Sequence, residues 1–402
     1  MRPNRILRLW VLTLWKGAAK MRALIPTSAV FSLLWSLAAA EIQPPRKTRD
    51  GFAVPQPGHR FEFPTDHGSH PDFKIEWWYV TGHLFGEQGR RFGFQATFFR
   101  RSGPLPTNGT MVTARSELFG NEELHLAHMA LLDVPGERFI QEERLNRQGW
   151  DAESSTNTLA VRNGNWSLSV GTHANGPFSL QGSIRSAAAF SLEMTPVKPL
   201  VVFGEKGVSR KGASPTASSY YLTFPRLEVA GVVTLEGRNQ VVHGQAWMDH
   251  EISSNQLDED QAGWDWAGLQ LKDGREIMAY RIRKKDGSRD PFSQLAWVDA
   301  NGAVTNFNSG HFTWTTVQTW KSPITGGIYP VRIQLTTTDP ISGQPAIFIL
   351  EPLVFQQELG GVLSGISYWE GACRVRNEKS EDVGSAYLEL TGYAGSLTER
   401  FQ

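Results

Sequence analysis

WWYVTGHLFGEQGRRFGFQATFFR, residues 77–100, is the stretch whose reading decides the fold. Each half alternates between two classes of side chain, and between the halves sits EQGR, a turn signal with a glycine where the chain must reverse. A period of two sends successive side chains to opposite faces of a strand, so the stretch reads as an antiparallel hairpin. Comparable windows recur in RRFGFQATFFR (90–100), HLAHMALLDV (125–134), NWSLSV (165–170), YYLTFPRLEV (220–229), EIMAYRIR (276–283) and YPVRIQLTTT (329–338). Further turn signals, KDGR, RNGN and DANGA, separate them. Helical patterns are short and confined to 114–119 and 137–146. The chain reads as all-β and antiparallel, with its edge strands handled by sandwich or barrel closure.

The hairpin has an internal echo. WDWAGLQLKDGREIMAYRIR (264–283) repeats the tryptophan pair, the Gly-Arg turn and an alternating strand that ends in arginine. An Asp-His lies upstream of each copy, at Asp66-His67 and at Asp249-His250. Such self-similarity indicates duplication. Two β-domains follow, 41–235 and 236–402, with FGEKGVSRKGASPTASS (203–219) expected as a long exposed loop near the end of the first.

The first forty residues hold six basic side chains and no acidic one, and end in an apolar run closed by three alanines. This reads as a cleaved signal peptide, 1–40, and places the mature chain outside the cytoplasm, in a bacterial periplasm. Without it, 34 basic residues face 40 acidic ones, a net of −6, so a nucleic-acid partner is not expected and membrane contact is expected only at the surface. Cys373 is the only cysteine, so stability must come from burial and not from an intrachain disulfide.

The densest chemistry lies in QAWMDHEISS, 245–254. Trp247, Asp249 and Glu251 share one strand face and Met248, His250 and Ile252 the other, and either face can line a cavity. With the first inward, two carboxylates meet an indole in a low-dielectric pocket and at least one becomes a proton donor near neutral pH. With the second inward, His250 is the lone acid or base. The same alternation sorts Glu76 and Trp78 from Trp77 and Tyr79, sets Trp264 and Trp266 opposite Asp265, and separates Tyr280 from Arg281. His125 and His128 fall on opposite faces, and MDHE supplies no second histidine at metal-site spacing, so no metal is expected. A G-x-S-x-G elbow is missing, and no nucleophile with a neighbouring base stands out.

KIEWWYVTGHL, FGFQATFFR, AHMALLD, YYLTFPRL, VHGQAWMDHEISSNQL, GWDWAGLQLKDGREIMAYRIR and LELTGYAGSL together resemble the AttH/CrtC-like secreted family. That family is related to carotenoid 1,2-hydratase (hydroxyneurosporene synthase) and to lipocalin-like proteins encoded beside ABC-transporter permeases. The resemblance runs from about 50 to 400 and implies two tandem lipocalin-like β-barrels packed together around a hydrophobic ligand site. In the carotenoid branch it implies water addition to a C=C bond with no redox cofactor, by residues that match Asp249, His250, Trp264, Asp265, Trp266 and Tyr280 here. The residues suit that chemistry: Asp249 or Glu251 as proton donor, His250 to activate water, and the rings of Trp77, Trp78, Tyr79, Trp247, Trp264 and Trp266, with Glu76 beside them, around an apolar ligand. The other reading is a non-catalytic lipid or lipopeptide binder that works with ABC-transporter components. Both readings require the same apolar pocket.

Overall fold

The computed structural model describes residues 43–105, 123–149, 151–171, 173 and 176–395. The expected signal peptide and the helical pattern at 114–119 lie outside the described residues. Residues 43–402 gather into one compact unit. Its described strands form two antiparallel sheets, of thirteen and ten strands, and the only helical elements among the described residues are three short 3-10 turns. The pattern at 137–146 is a strand, Arg138–Arg147, paired along its whole length with Leu124–Asp133. Its partly covered residues belong to an edge position, which blurs the alternation that identifies more central strands.

Both sheets are wired alike, as the repeated hairpin implies. In the first, Ile75–Phe85, Arg91–Arg101, Leu124–Asp133 and Arg138–Arg147 run as a meander, and Ile75–Phe85 also pairs with the last strand, Arg238–Asn255. In the second, Gln261–Leu271, Glu276–Lys284, Gln294–Val298 and Val304–Asn308 form the meander, and Gln261–Leu271 pairs with the last strand, Asp382–Leu390. First-to-last pairing curls each meander toward a barrel and leaves a seam between the fourth and fifth strands. In the first sheet side chains of the fourth strand reach across that seam to the sixth, Ala160–Asn163: Arg144 Nη1 donates to the Asn163 carbonyl at 3.1 Å, and Asn146 Nδ2 to Asn163 Oδ1 at 2.7 Å. The first sheet is thus nearly a closed barrel.

The division between sheets falls at residues 256–260, not after 235. Glu236 and Gly237, with φ of 52° and 76°, close a hairpin between Ser218–Leu235 and Arg238–Asn255, so the expected boundary is a turn inside the first sheet. A second departure concerns 203–219. That segment folds back over the sheet, with Ser209 and Arg210 paired to Ser219 and Ser218, and Phe203, Ser209 and Lys211 are buried.

Among the described residues, the three largest apolar clusters divide between these sheets. Trp78, Val80, Phe94 and Met248 pack inside the first barrel, and Leu269, Ile277, Tyr329 and Trp369 inside the second. Tyr79, Tyr221, Trp247, Trp266, Tyr280 and Tyr387 form a third cluster between the two sheets. The alternating side chains of Ile75–Phe85 therefore serve two different cores.

Candidate functional site

A cavity opens within this third cluster and spans about 960 Å³ when the open solvent at its mouth is counted. The first sheet contributes Trp77, Tyr79, Tyr221, Asp249 and Glu251 to its wall. From the second come Trp264, Trp266, Tyr280, Tyr368 and Glu389. Two strand pairings assemble the acidic side. Register sets Tyr79 and Thr223 on either side of Asp249, and Trp77 and Tyr221 on either side of Glu251. A further pairing sets Glu389 between Trp266 and Glu370.

Asp249 is 3% exposed and accepts three hydrogen bonds: from Tyr221 Oη at 2.8 Å, Thr223 Oγ1 at 2.6 Å and Trp247 Nε1 at 2.7 Å. Burial nevertheless pushes its carboxyl from 3.8 to about 7, with the charge of Glu251 acting the same way, because the donors recover only part of the lost hydration. Glu389 behaves alike. Burial and then its acidic neighbours raise it to about 7, against one hydrogen bond from Trp264 Nε1 at 2.9 Å. Behind it Glu370, wholly buried, is held well above the ordinary carboxylate range by burial and by Glu389. Tyr79 Oη donates to Glu370 Oε1, and Glu370 Oε2 has no hydrogen-bond partner among the described residues.

A cation faces these acids. Lys211 Nζ lies 3.2 Å from Glu251 Oε2 and stands over the rings of Tyr221 and Tyr280, at 4.7 and 4.2 Å from their centroids. Glu251 also accepts from Ser219 Oγ. The ion pair keeps Glu251 occupied as a counterion, so the proton-donor role suits Asp249 better. The indoles close the box: Trp266 meets Tyr79 edge-on at 5.3 Å and Trp247 at 5.8 Å, and its Nε1 donates to Tyr221 Oη at 2.8 Å. The result is an aromatic chamber with two carboxyls poised near neutrality.

Of the residues singled out in the sequence, Trp77, Tyr79, Asp249, Glu251, Trp264, Trp266 and Tyr280 line the cavity, and Trp247 backs it through Asp249. Four do not reach it. Glu76, Trp78 and His250 lie on the alternate faces of their strands, where the His250 ring stacks on Trp78 at 4.8 Å and its Nε2 meets Glu76 Oε1 at 2.8 Å. Asp265 likewise points away from Trp264 and Trp266, toward Arg281, Arg283 and Tyr393. His250 is therefore not the water-activating base of this cavity. Tyr221, Lys211, Tyr368 and Glu389 were missed. Alternation in YYLTF places Tyr221 and Thr223 on one face, but only strand register shows that this face meets Asp249.

Comparison with known proteins bears on this geometry. A family model described as AttH-like matches residues 54–393. A crystal structure of a candidate AttH protein from Nitrosomonas europaea is 34% identical, with a TM-score of 0.74 over 85% of this chain and 100% of that one. Kievitone hydratase from Nectria haematococca shares the fold at 14% identity, with a TM-score of 0.63 over 88% of this chain and 98% of that one. No curated protein sequence matches the chain.

Proposed function

The chain belongs to the AttH-like family, and on that premise we propose that its inter-sheet cavity binds a lipophilic small molecule and adds water across a carbon–carbon double bond by acid catalysis. The observation that carries this is Asp249, a buried carboxyl raised to about 7 and set against Trp247, Tyr221 and Trp266. The π electrons of the ligand take the Asp249 proton: a C–H bond forms, the carboxyl O–H breaks, and a carbocation and a carboxylate result. Aromatic faces of Trp266 and Tyr79 stabilise the cation through their quadrupoles. The hydroxyls of Tyr221 and Thr223 and the Trp247 N–H stabilise the new carboxylate. Water then attacks the cation, and its proton passes to Asp249 or to Glu389, the second carboxyl poised near 7.

A second reading, carriage of the ligand without turnover and in partnership with an ABC transporter, has one observation in its favour. Val362 and Leu363, apolar and 91% and 59% exposed, lie on the segment that also supplies the cavity-lining Ile366. Both readings place the protein outside the cytoplasm, as the basic, apolar leader at 1–40 suggests. Native mass spectrometry of protein taken from its own compartment identifies the ligand, which is then incubated with wild type and with Asp249→Asn. A product heavier by one water that appears only with wild type supports hydration. Tight retention of an unaltered ligand by wild type refutes it in favour of carriage.

A further inference from the structure

We infer that His70, Glu76 and His250 form a binding site for one divalent transition-metal ion on the barrel-side face of the first sheet, opposite the cavity. Nδ1 of His70 lies 2.7 Å from Glu76 Oε1, and Nε2 of His250 lies 2.8 Å from the same oxygen. All three donor atoms fall within 4.8 Å of one another. Two imidazoles and one carboxylate make the borderline donor set that suits zinc, cobalt or iron(II), with coordination positions left for water. An ion about 2.1 Å from each donor separates neighbouring donors by roughly 3 to 3.5 Å, so the present contacts need open by only a few tenths of an ångström.

The surroundings hold each donor in place. Glu76 is wholly buried, and its other oxygen accepts from Arg100 Nε at 3.0 Å and from the His70 backbone N–H at 2.9 Å, which leaves Oε1 aimed at the two rings. His70 turns its far nitrogen to Asp66 Oδ1 at 3.1 Å, the carboxylate–histidine arrangement that orients metal ligands and raises their basicity. His250 is 3% exposed and fixed by its stack on Trp78. The His70 side chain keeps 19% of its surface exposed and provides the entry path. An ion here staples the segment before Ile75 to the strand Arg238–Asn255. Sequence spacing hides the site, because Glu76 and His250 are 174 positions apart.

The same contacts without an ion amount to a proton-bridged ion-pair network, and titration separates the two. Full-length mature protein stripped with a chelator is titrated with Co²⁺ and then Zn²⁺. The expected result is one Co²⁺ per chain, a visible absorption band from a low-coordinate nitrogen and oxygen site, and displacement by Zn²⁺. His70→Ala weakens binding at least tenfold, whereas His243→Ala, at an exposed histidine elsewhere, leaves it unchanged. Circular dichroism of the stripped variants confirms that both fold. Binding well below one equivalent, or equal binding by wild type and His70→Ala, overturns the proposal. Should His70→Ala fail to fold, the wild-type spectrum decides alone: a Co²⁺ band no stronger than that of the hydrated ion refutes the site.

Discussion

Replacing Asp249 by asparagine should make the protein more stable at high pH, and the gain should grow with pH in a defined window. The carboxyl is ordinarily half-ionised at 3.8 and in the fold at about 7. Below 3.8 both folded and unfolded chains hold the proton, so the group is neutral toward stability. Between 3.8 and 7 the unfolded chain releases it while the folded chain keeps it, and stability falls by about 1.4 kcal/mol per pH unit. Above 7 both states are ionised and the full cost, about 4 kcal/mol, persists. Asparagine is neutral throughout. Its amide oxygen accepts from Trp247 and Thr223 as before, and the Tyr221 hydroxyl can rotate to accept from the new N–H₂, so the mismatch costs about 1 kcal/mol. Urea unfolding at pH steps from 4 to 8, followed by tryptophan fluorescence, gives the difference between the two proteins. Glu389 is present in both, and its titration cancels except for the part of its rise that the Asp249 charge supplies. The expected difference starts slightly unfavourable to the variant near pH 4 and ends about 3 kcal/mol in its favour at pH 8. A flat difference, or one that runs the other way, refutes the assignment of a neutral buried Asp249.

Two further perturbations probe the chamber. Lys211→Met leaves Glu251 buried without its cation and should destabilise by about 3–5 kcal/mol, with recovery on adding Glu251→Gln. A urea-measured loss below about 1 kcal/mol would show the pair to be solvated instead. Gly268→Ala places a methyl 2.7 Å from the Trp266 ring and 3.1 Å from Trp247, which drives indoles into the cavity. The recovered ligand should bind at least tenfold more weakly, and unchanged affinity with unchanged tryptophan emission would contradict the placement of those rings.

Strand alternation made the two-faced character of both key segments legible, but not which face holds the cavity. The reason is physical. Residues 246–254 are buried on both faces, since the strand separates a barrel interior from the core between the sheets. Exposure, the usual guide to facing, was therefore no help. The duplicated wiring was readable from the paired hairpins because turn chemistry and alternation are local. Lys211 was hidden by a glycine- and serine-containing segment that looks solvated yet folds inward, and Glu389 by its place as one of two acids, with Asp382, in an otherwise ordinary terminal strand. Partners such as Tyr221, 28 positions from Asp249, depend on register, which no local pattern records.

The central claim is that Asp249 carries a proton near neutral pH inside an aromatic chamber. The most direct test is a carbon-13 NMR titration of protein labelled at the aspartate carboxyls, wild type beside Asp249→Asn. One aspartate resonance with a midpoint of about 7, absent from the variant, is the predicted result. Midpoints that all lie below about 5, in the ordinary carboxylate range, would contradict it.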